Sequence, residues 1–152
     1  MHGIVDLERS SALHARARTF VDAFERGQPA PDFDGFAREL AVYQADHAPG
    51  YARLCRARGV DPASISRAED IPAVPTDVFK LTRVATFDEA HTAVTFRTSG
   101  TTIGARGTHA MRDASTYEAA AVAFGRKWLA RDLDRPIPVL VLGPSPSAAP
   151  DS

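Results

Sequence analysis

The sequence predicts an α/β fold in which amphipathic helices precede the start of a layered sheet. Apolar residues recur at three- and four-residue spacings up to about residue 60, which is typical of helices. From residue 92 onward the pattern changes to an alternating strand, a glycine-rich loop, a short strand, a helix and a continuous apolar run. We therefore divide the chain into a helical part (1–60), a connector (61–91), a strand–loop–strand–helix–strand part (92–143) and a tail (144–152).

The first helix is predicted from Asp6 to Arg26 and ends at Gly27, a residue suited to a helix C-terminus. A second helix is predicted with Asp34 as its cap, and Pro49 and Gly50 interrupt its pattern. The apolar residues at helical spacing are predicted to pack in a core; they are Leu13, Ala17, Phe20, Val21, Phe24, Phe36, Leu40, Tyr43, Tyr51, Leu54 and Cys55.

The connector contains weaker signals. Ser66 and Glu69 have capping-box spacing and predict a very short helix. Thr76 is predicted to cap a turn that buries Phe79. For Lys80, which follows, we favour a solvated surface cation over a functional role.

The last part supplies the predicted sheet. Residues 92–98 alternate apolar and polar side chains, and residues 108–111 are predicted to return as a second short strand. Asp113 is predicted to cap a helix with an alanine-rich flank suited to a sheet and a stripe of Tyr117, Ala121, Phe124 and Trp128. Residues 136–143 form a continuous apolar run, typical of a strand buried on both faces.

A strand buried on both faces needs neighbours on both edges, and residues 144–152 offer none. We therefore expect the sheet to be incomplete at the C-terminus. On this interpretation the chain is the N-terminal portion of a longer protein or a truncated gene product.

The hydroxyl–glycine loop (residues 98–107) is the stretch of the chain with the most closely spaced hydroxyl side chains and glycines. Its backbone N–H groups and hydroxyls are donors, and glycine lets the backbone come close to an anion. Arg106 adds a planar guanidinium that can hold two phosphate oxygens. We predict a polyphosphate site, with the β- and γ-phosphates of ATP as the simplest ligand; a polar turn between strands is the alternative. Its predicted phosphate-binding residues are Thr98, Ser99, Gly100, Thr101, Thr102, Gly104 and Gly107.

Glycine spacing excludes two familiar phosphate loops. Ala105 stands five residues after Gly100 with no Gly-Lys-Ser/Thr following, so the P-loop pattern fails. The dinucleotide fingerprint fails as well, because the loop glycines are spaced four and three apart. The loop instead resembles the phosphate-binding signature of adenylate-forming enzymes, T-S-G-[ST]-T-G-x-P-K-G. Two departures are Ile103 in place of a glycine and Ala105 in place of the proline.

Further landmarks occur in the order found in LuxE-type acyl-protein synthetases. They are Val42–Gln44 with Pro49–Cys55, Ile71–Pro75 with Phe79 and Lys80, and Phe96–Thr102. The resemblance covers residues 36–143, and only the Thr-Ser-Gly-Thr-Thr core is highly specific. The phenylacetate–CoA ligase branch is similar but less close.

This resemblance implies the adenylate-forming fold and an ATP- and Mg²⁺-dependent ligase. Such an enzyme converts a carboxylic acid, here expected to be fatty, to an acyl-adenylate and passes the acyl group to a thiol. The thiol belongs to a protein cysteine in the LuxE type and to coenzyme A in the ligases. Arg106 would act as the catalytic residue that holds the departing pyrophosphate. Later family motifs are absent, so we expect this segment to be inactive alone.

Two alternatives stay open beside this interpretation. One is a fragment of an acyl- or aryl-CoA ligase. The other is a non-catalytic α/β remnant whose N-terminal helices bind a partner.

Composition limits the remaining function classes. A formal net charge of −1 gives no general attraction to nucleic acid or anionic membranes, and no apolar run is long enough to span a bilayer. Cys55 is the only cysteine, so no internal disulfide can form and a cytoplasmic setting is expected, with Cys55 buried rather than reactive. His109 is a candidate for contact with substrate, with a structural role as the alternative. The other histidines lack ligand spacing, so no protein-made metal site is predicted.

Overall fold

A computed structural model describes residues 6–98, 106–133, 135–138, 140, 142–143, 145 and 147–148. Along this part of the chain the helices and strands are α1 (Leu7–Glu25), α2 (Phe33–His47), α3 (Pro49–Ala57), α4 (Val78–Leu81), β1 (Val94–Arg97), β2 (Thr108–Met111) and α5 (Ser115–Trp128). Short 3₁₀ turns lie at Pro62–Ser64, Ala68–Asp70 and Glu89–His91. The described part is mostly helical and carries one small antiparallel sheet.

Helix α1 confirms the predicted N-terminal helix. Asp6 caps it by accepting a hydrogen bond from the Arg9 N–H at 2.8 Å. Gly27 follows the helix with a φ of 63°, the left-handed conformation that glycine adopts without steric cost. The two ends of α1 therefore follow directly from the local sequence.

Helix α2 is capped two residues earlier than predicted. Asp32, rather than Asp34, caps it by accepting from the Gly35 N–H at 2.9 Å. Asp34 instead accepts from the Ala68 N–H at 2.7 Å, and so fastens the turn at Ala68–Asp70 to α2. The predicted capping box at Ser66 is wrong, because Arg67 is the cap position of that turn and makes no side-chain capping bond.

The core of the helical part consists of two clusters. In the first, the buried residues Leu13, Phe36 and Tyr43 join α1 to α2, and Phe20 stacks on Phe36 with ring centroids 5.0 Å apart. The second cluster joins α2 to α3 and contains Ala41, Ala48, Tyr51 and Cys55, with Ile71 and Val74 packed against it. The prediction that these aromatic residues serve packing is confirmed, since Phe36, Tyr43 and Tyr51 are all buried.

Strands β1 and β2 form the sheet of the described residues. They pair antiparallel with Val94 opposite Met111 and Arg97 opposite Thr108. The bounds of β2 are those predicted, while β1 is shorter than the predicted 92–98. The layered sheet is not seen in the described residues, which form this two-stranded pair.

Helix α5 buries its alanine-rich flank at Ala123 and leaves its bulky stripe largely exposed. Tyr117, Phe124 and Trp128 are exposed, and Ala123 on the alanine-rich flank is buried. The helix packs against α1, where small side chains allow close approach, and Tyr117 also contacts Phe96 of β1, with ring centroids 5.7 Å apart. The cap position of the helix is Ala114, one residue after the predicted Asp113, whose side chain accepts from the Ser115 N–H at 2.8 Å.

The buried strand predicted at 136–143 is not found. None of the described residues in this run is assigned to a strand, and Leu140 and Leu142 are 84% and 91% exposed. Val139 and Val141 lie outside the described residues. The prediction rested on apolar character alone, which shows that a segment can be buried but not what buries it.

Candidate functional site

The base of the hydroxyl–glycine loop is closed by two hydrogen bonds between Thr98 and Gly107. The Thr98 N–H donates to the Gly107 carbonyl at 2.9 Å, so the β1–β2 ladder continues one step beyond the strands. The Gly107 N–H donates to Thr98 Oγ1 at 2.8 Å. These two bonds fix the distance between the ends of the loop. Of the residues predicted to bind phosphate, Thr98 and Gly107 are therefore brought into direct contact.

A side chain at Gly107 would be tightly packed against Thr98. It is buried, and an added Cβ would lie 3.2 Å from Thr98 Oγ1 and 3.6 Å from Lys80 Cγ. Its φ is not in the left-handed region, so close packing rather than backbone conformation favours glycine here. Gly107 thus allows the close approach of Thr98 and Lys80, and its predicted close approach to phosphate stays a prediction.

Arg106 lies beside the same pair and contacts the main chain. Its Nε donates to the Thr98 carbonyl at 2.9 Å, and Nη2 lies 3.5 Å from the Arg97 carbonyl. The guanidinium is therefore held at the end of β1, where the loop begins. In this position its hydrogen bonds help to close the base of the loop. Its positive charge lies next to that base.

Five of the predicted phosphate-binding residues lie outside the described residues; they are Ser99, Gly100, Thr101, Thr102 and Gly104. Their predicted role stays a prediction.

His109 lies on β2 and stacks on Phe79 of α4. The two ring centroids are 4.4 Å apart and the planes differ by 28°. Phe79 is partly buried, as the sequence predicts, although α4 is capped at Asp77 without a side-chain bond and not by Thr76. The stacked pair connects α4 to the hairpin. This contact with Phe79 agrees with a structural role for His109. The contact between His109 and substrate stays a prediction.

Lys80 is the functional candidate that the sequence interpretation passed over. Its side chain is 17% exposed, so the expectation of a solvated surface cation is wrong. Its stem passes beside Gly107, and its Nζ donates to Asp77 Oδ1 at 2.9 Å. The available signal was its position directly after Phe79, because a residue beside a buried anchor on a short helix is held near the same surface.

A cavity of about 440 Å³ lies between α4 and the hairpin, next to the base of the loop. We call it the loop-base cavity. Its polar lining residues are Lys80, Thr82, Arg83, Glu89, Thr92, Thr95 and Thr108. Threonine hydroxyls and two cations, opposed by one carboxylate, make this a surface suited to an anion.

Arg83 is fixed on the rim of the loop-base cavity. Its Nη1 donates to the Phe87 carbonyl at 2.6 Å, and Nη2 lies 3.4 Å from Thr92 Oγ1. Its guanidinium also lies over the Phe87 ring, 4.9 Å from the centroid. Arg83 therefore holds the 83–92 segment in place and contributes a fixed charge beside Lys80.

Cys55 and Tyr51 belong to the core cluster that joins α2 to α3. Cys55 is 2% exposed, which confirms the prediction that it is buried. Burial raises the pKa of the neighbouring Tyr51 to about 12. The two residues therefore belong to the packing between α2 and α3. Among the described residues, no group of three or more His, Cys, Asp or Glu could hold a metal ion.

Comparison with known sequences defines the class of protein. The model of the family described as "Acyl-protein synthetase, LuxE" matches residues 26–151. The match covers most of the chain and includes α2, α3, α4, the hairpin and α5, while α1 precedes it. The chain belongs to the LuxE acyl-protein synthetase family.

A curated relative gives a particular protein to which the chain is similar. It is a long-chain-fatty-acid–luciferin-component ligase from Photorhabdus luminescens, 42% identical over 55 residues. The aligned segment covers 36% of this chain and 47% of the relative, so the chain spans about half the length of the relative it matches. No solved structure matches the chain. Among the helices described, none is both long and apolar enough to cross a membrane.

Proposed function

We propose that this chain supplies the pyrophosphate-binding part of an ATP-dependent acyl-activating enzyme. The enzyme would convert a fatty acid to an acyl-adenylate and pass the acyl group to the thiol of a protein cysteine. The observation that carries the proposal is the family match over residues 26–151, which contain the hydroxyl–glycine loop. We infer a cytoplasmic location, because such a reaction uses ATP and reduced thiols.

The closed base of the loop supports this role. Charge develops on pyrophosphate as the carboxylate attacks the α-phosphate, and donors fixed beforehand stabilise that charge without reorganisation. The two hydrogen bonds between Thr98 and Gly107 hold the base of the loop in one geometry, which is the kind of preorganisation that this stabilisation needs. A hydroxyl both accepts and donates, so Thr98 Oγ1 can accept from Gly107 and still offer its proton to a phosphate oxygen.

The remaining loop residues are assigned by their chemistry. We propose that Ser99, Thr101 and Thr102 donate hydroxyl or backbone hydrogen bonds to the phosphates. Gly100 and Gly104 would allow the close approach of the backbone. Arg106 would extend its charge from the end of β1 toward the departing oxygens. Mg²⁺ would arrive on the phosphates of ATP, since it commonly binds through phosphate oxygens and water.

We further infer that the hairpin is the start of a layered α/β sheet of the adenylate-forming type. Exposed apolar side chains on α5 and at Ile137, Leu140 and Leu142 support this inference. Apolar surface of this extent is typical of a region that packs against further structure. The inference predicts that these side chains are buried in the complete fold.

Substitution of Arg106 tests the proposal. In the full-length protein, Arg106→Ala is expected to reduce acid-dependent pyrophosphate release strongly, and Arg106→Lys to reduce it less because the charge is retained. Arg131→Ala is the matched control, since Arg131 is exposed and paired with the adjacent Asp132. Melting temperatures separate a loss of folding from a loss of catalysis. Unchanged pyrophosphate release in Arg106→Ala would remove Arg106 from the mechanism.

The acceptor is tested separately. With acid and ATP supplied, label from a radioactive fatty acid should appear on a protein cysteine as a thioester that hydroxylamine cleaves. Release of acyl-CoA instead would favour the acyl- or aryl-CoA ligase. Absence of any acid-dependent pyrophosphate release by the full-length protein would leave the non-catalytic partner-binding remnant.

A further inference from the structure

We propose that Lys80 is a phosphate-binding residue that faces the base of the loop from α4. This inference rests on the proposed function, because it extends the same phosphate site to a residue outside the hydroxyl–glycine loop. The ligand is the terminal, doubly charged part of a polyphosphate such as ATP or pyrophosphate. Lys80, Thr98 and Thr108 would then surround it from two elements rather than one.

The position of the Lys80 stem is the first support. Its Cγ lies 3.6 Å from the point where Gly107 would carry a Cβ, so the stem passes directly beside the closed base of the loop. The neighbouring Phe79 is held by its stacking on His109. The stem is therefore fixed from two sides, while the bonds beyond Cγ leave the ammonium group free to turn.

The partner of the ammonium group is the second support. Lys80 is 17% exposed but its ion-pair partner Asp77 is 70% exposed. An ion pair with one such water-exposed partner contributes little to stability, because water already solvates the carboxylate. A polyphosphate carries more charge than one carboxylate. It can therefore compete for the ammonium group with no rearrangement of the backbone.

The chemistry of the loop-base cavity is the third support. Lys80 and Arg83 give it two cations, and Thr92, Thr95 and Thr108 give it hydroxyl donors. Glu89 is the one opposing carboxylate among its lining residues. A set of cations and hydroxyl donors suits phosphate oxygens better than a neutral or cationic group.

Two variants separate the charge of Lys80 from its packing. Lys80→Met keeps an apolar stem beside Gly107 and removes the charge, whereas Lys80→Arg keeps the charge. In the full-length protein, Lys80→Met is expected to raise the KM for ATP by about tenfold or more, as for the loss of a charge-assisted hydrogen bond. Lys80→Arg is expected to stay within about threefold of the wild type. A packing role alone would leave Lys80→Met like the wild type and would overturn the inference.

The only other lysine in the chain, Lys127, provides a matched control. It lies on α5 over the Phe24 ring, with Nζ 4.2 Å from the ring centroid. Lys127→Met should leave the KM for ATP unchanged. If both lysine variants raise the KM equally, the effect is one of net charge and the specific role of Lys80 is lost.

A binding measurement makes the result independent of turnover. The full-length protein is labelled with an amine-reactive ester, with or without inorganic pyrophosphate, and the modified lysines are quantified by peptide mass spectrometry. Pyrophosphate at about ten times its dissociation constant should slow labelling of Lys80 by about tenfold. Labelling of Lys127 should not change.

The two proposals fail in different ways. If the protein is inactive but pyrophosphate protects Lys80, the phosphate site stands and the acyl-activating function fails. If the wild type releases pyrophosphate but Lys80→Met retains its KM and Lys80 is unprotected, the function stands and the Lys80 inference fails. Protection by acetate in place of pyrophosphate would identify a carboxylate site and would also overturn it.

Discussion

The Phe79 ring stacks on the His109 imidazole, with centroids 4.4 Å apart, and this contact joins α4 to the strand that leaves the hydroxyl–glycine loop. Residues 82–93 separate α4 from β1 in sequence and contain one short 3₁₀ turn. The stacked pair is therefore a direct link between the connector and the base of the loop. The same link places Lys80 beside Gly107.

Phe79→Leu should lower the free energy of unfolding of this chain by about 0.5 to 1.5 kcal/mol, because it keeps an apolar side chain but removes the stacked ring pair. Urea denaturation followed by circular dichroism measures this change. Leu81→Ala on the same helix is the control and should change stability by no more than about 0.5 kcal/mol, since Leu81 is 79% exposed. Equal costs for the two variants would show that the Phe79 contact stabilises nothing.

His109→Phe separates the structural role of His109 from its predicted contact with substrate. Phenylalanine can keep the stacking on Phe79, so the unfolding midpoint should stay close to that of the wild type. If His109 also contacts substrate, acid-dependent pyrophosphate release by the full-length protein falls while stability does not. Full activity together with an unchanged midpoint would assign His109 a structural role only.

The elements near the N-terminus and around the hairpin could be predicted from sequence because their signals are local. Asp6 caps the start of α1 and Gly27 follows its end, and each acts only on backbone groups within one turn of the helix. The bounds of β2 follow from a short β-forming stretch directly after the loop. For the candidate site, the sequence pointed to both Thr98 and Gly107, and the structure brings them into contact.

The remaining features depend on contacts distant in the sequence. The alanine-rich flank of α5 is suited to packing on a sheet, but α5 packs against α1 and buries Ala123. Lys80 is charged and was therefore interpreted as solvated, although its stem packs beside Gly107. Both contacts join residues far apart in the sequence, so the spacing of neighbouring residues does not identify the partner.

Gly107→Ala should destabilise the chain by about 1 to 2 kcal/mol through overpacking against Thr98. The added Cβ would lie 3.2 Å from Thr98 Oγ1, which is already held by its bond from the Gly107 N–H. In the full-length protein, the variant should also weaken the stabilisation of the fold by ATP, measured as a smaller shift in melting temperature.

Gly125→Ala provides the contrast, because nothing lies within 4 Å of the Cβ it would add. Gly125 lies inside α5, where alanine is favoured over glycine by about 0.5 to 1 kcal/mol, so this variant should be more stable than the wild type. The two substitutions are identical in chemistry and differ only in the space available. Destabilisation by both would mean that the space around these glycines does not decide the outcome.

His14 should make the stability of the α1–α5 contact depend on pH. Its Nδ1 lies 3.0 Å from Thr116 Oγ1, and Arg18 Nη1 donates to the same oxygen at 3.0 Å. Burial lowers the pKa of His14 below its usual value of 6.5; Asp113 opposes this shift, while Arg112 and Arg18 add to it. The unfolded chain therefore binds a proton at His14 more readily than the folded chain. The resulting contribution to stability is complete above pH 6.5 and is lost as the pH falls below that value.

The unfolding free energy of the wild type is thus expected to decline as the pH falls below 6.5, and His14→Gln should flatten this decline because glutamine does not titrate. Asp113→Asn should lower the pKa of His14 further, since it removes the charge that favours the imidazolium while an oxygen remains for the Ser115 N–H. Urea denaturation across this pH range measures the first effect, and NMR titration of the His14 ring protons measures the second. A measured His14 pKa at or above 6.5 would contradict both expectations, because the imidazolium would then be as stable against α5 as it is in water.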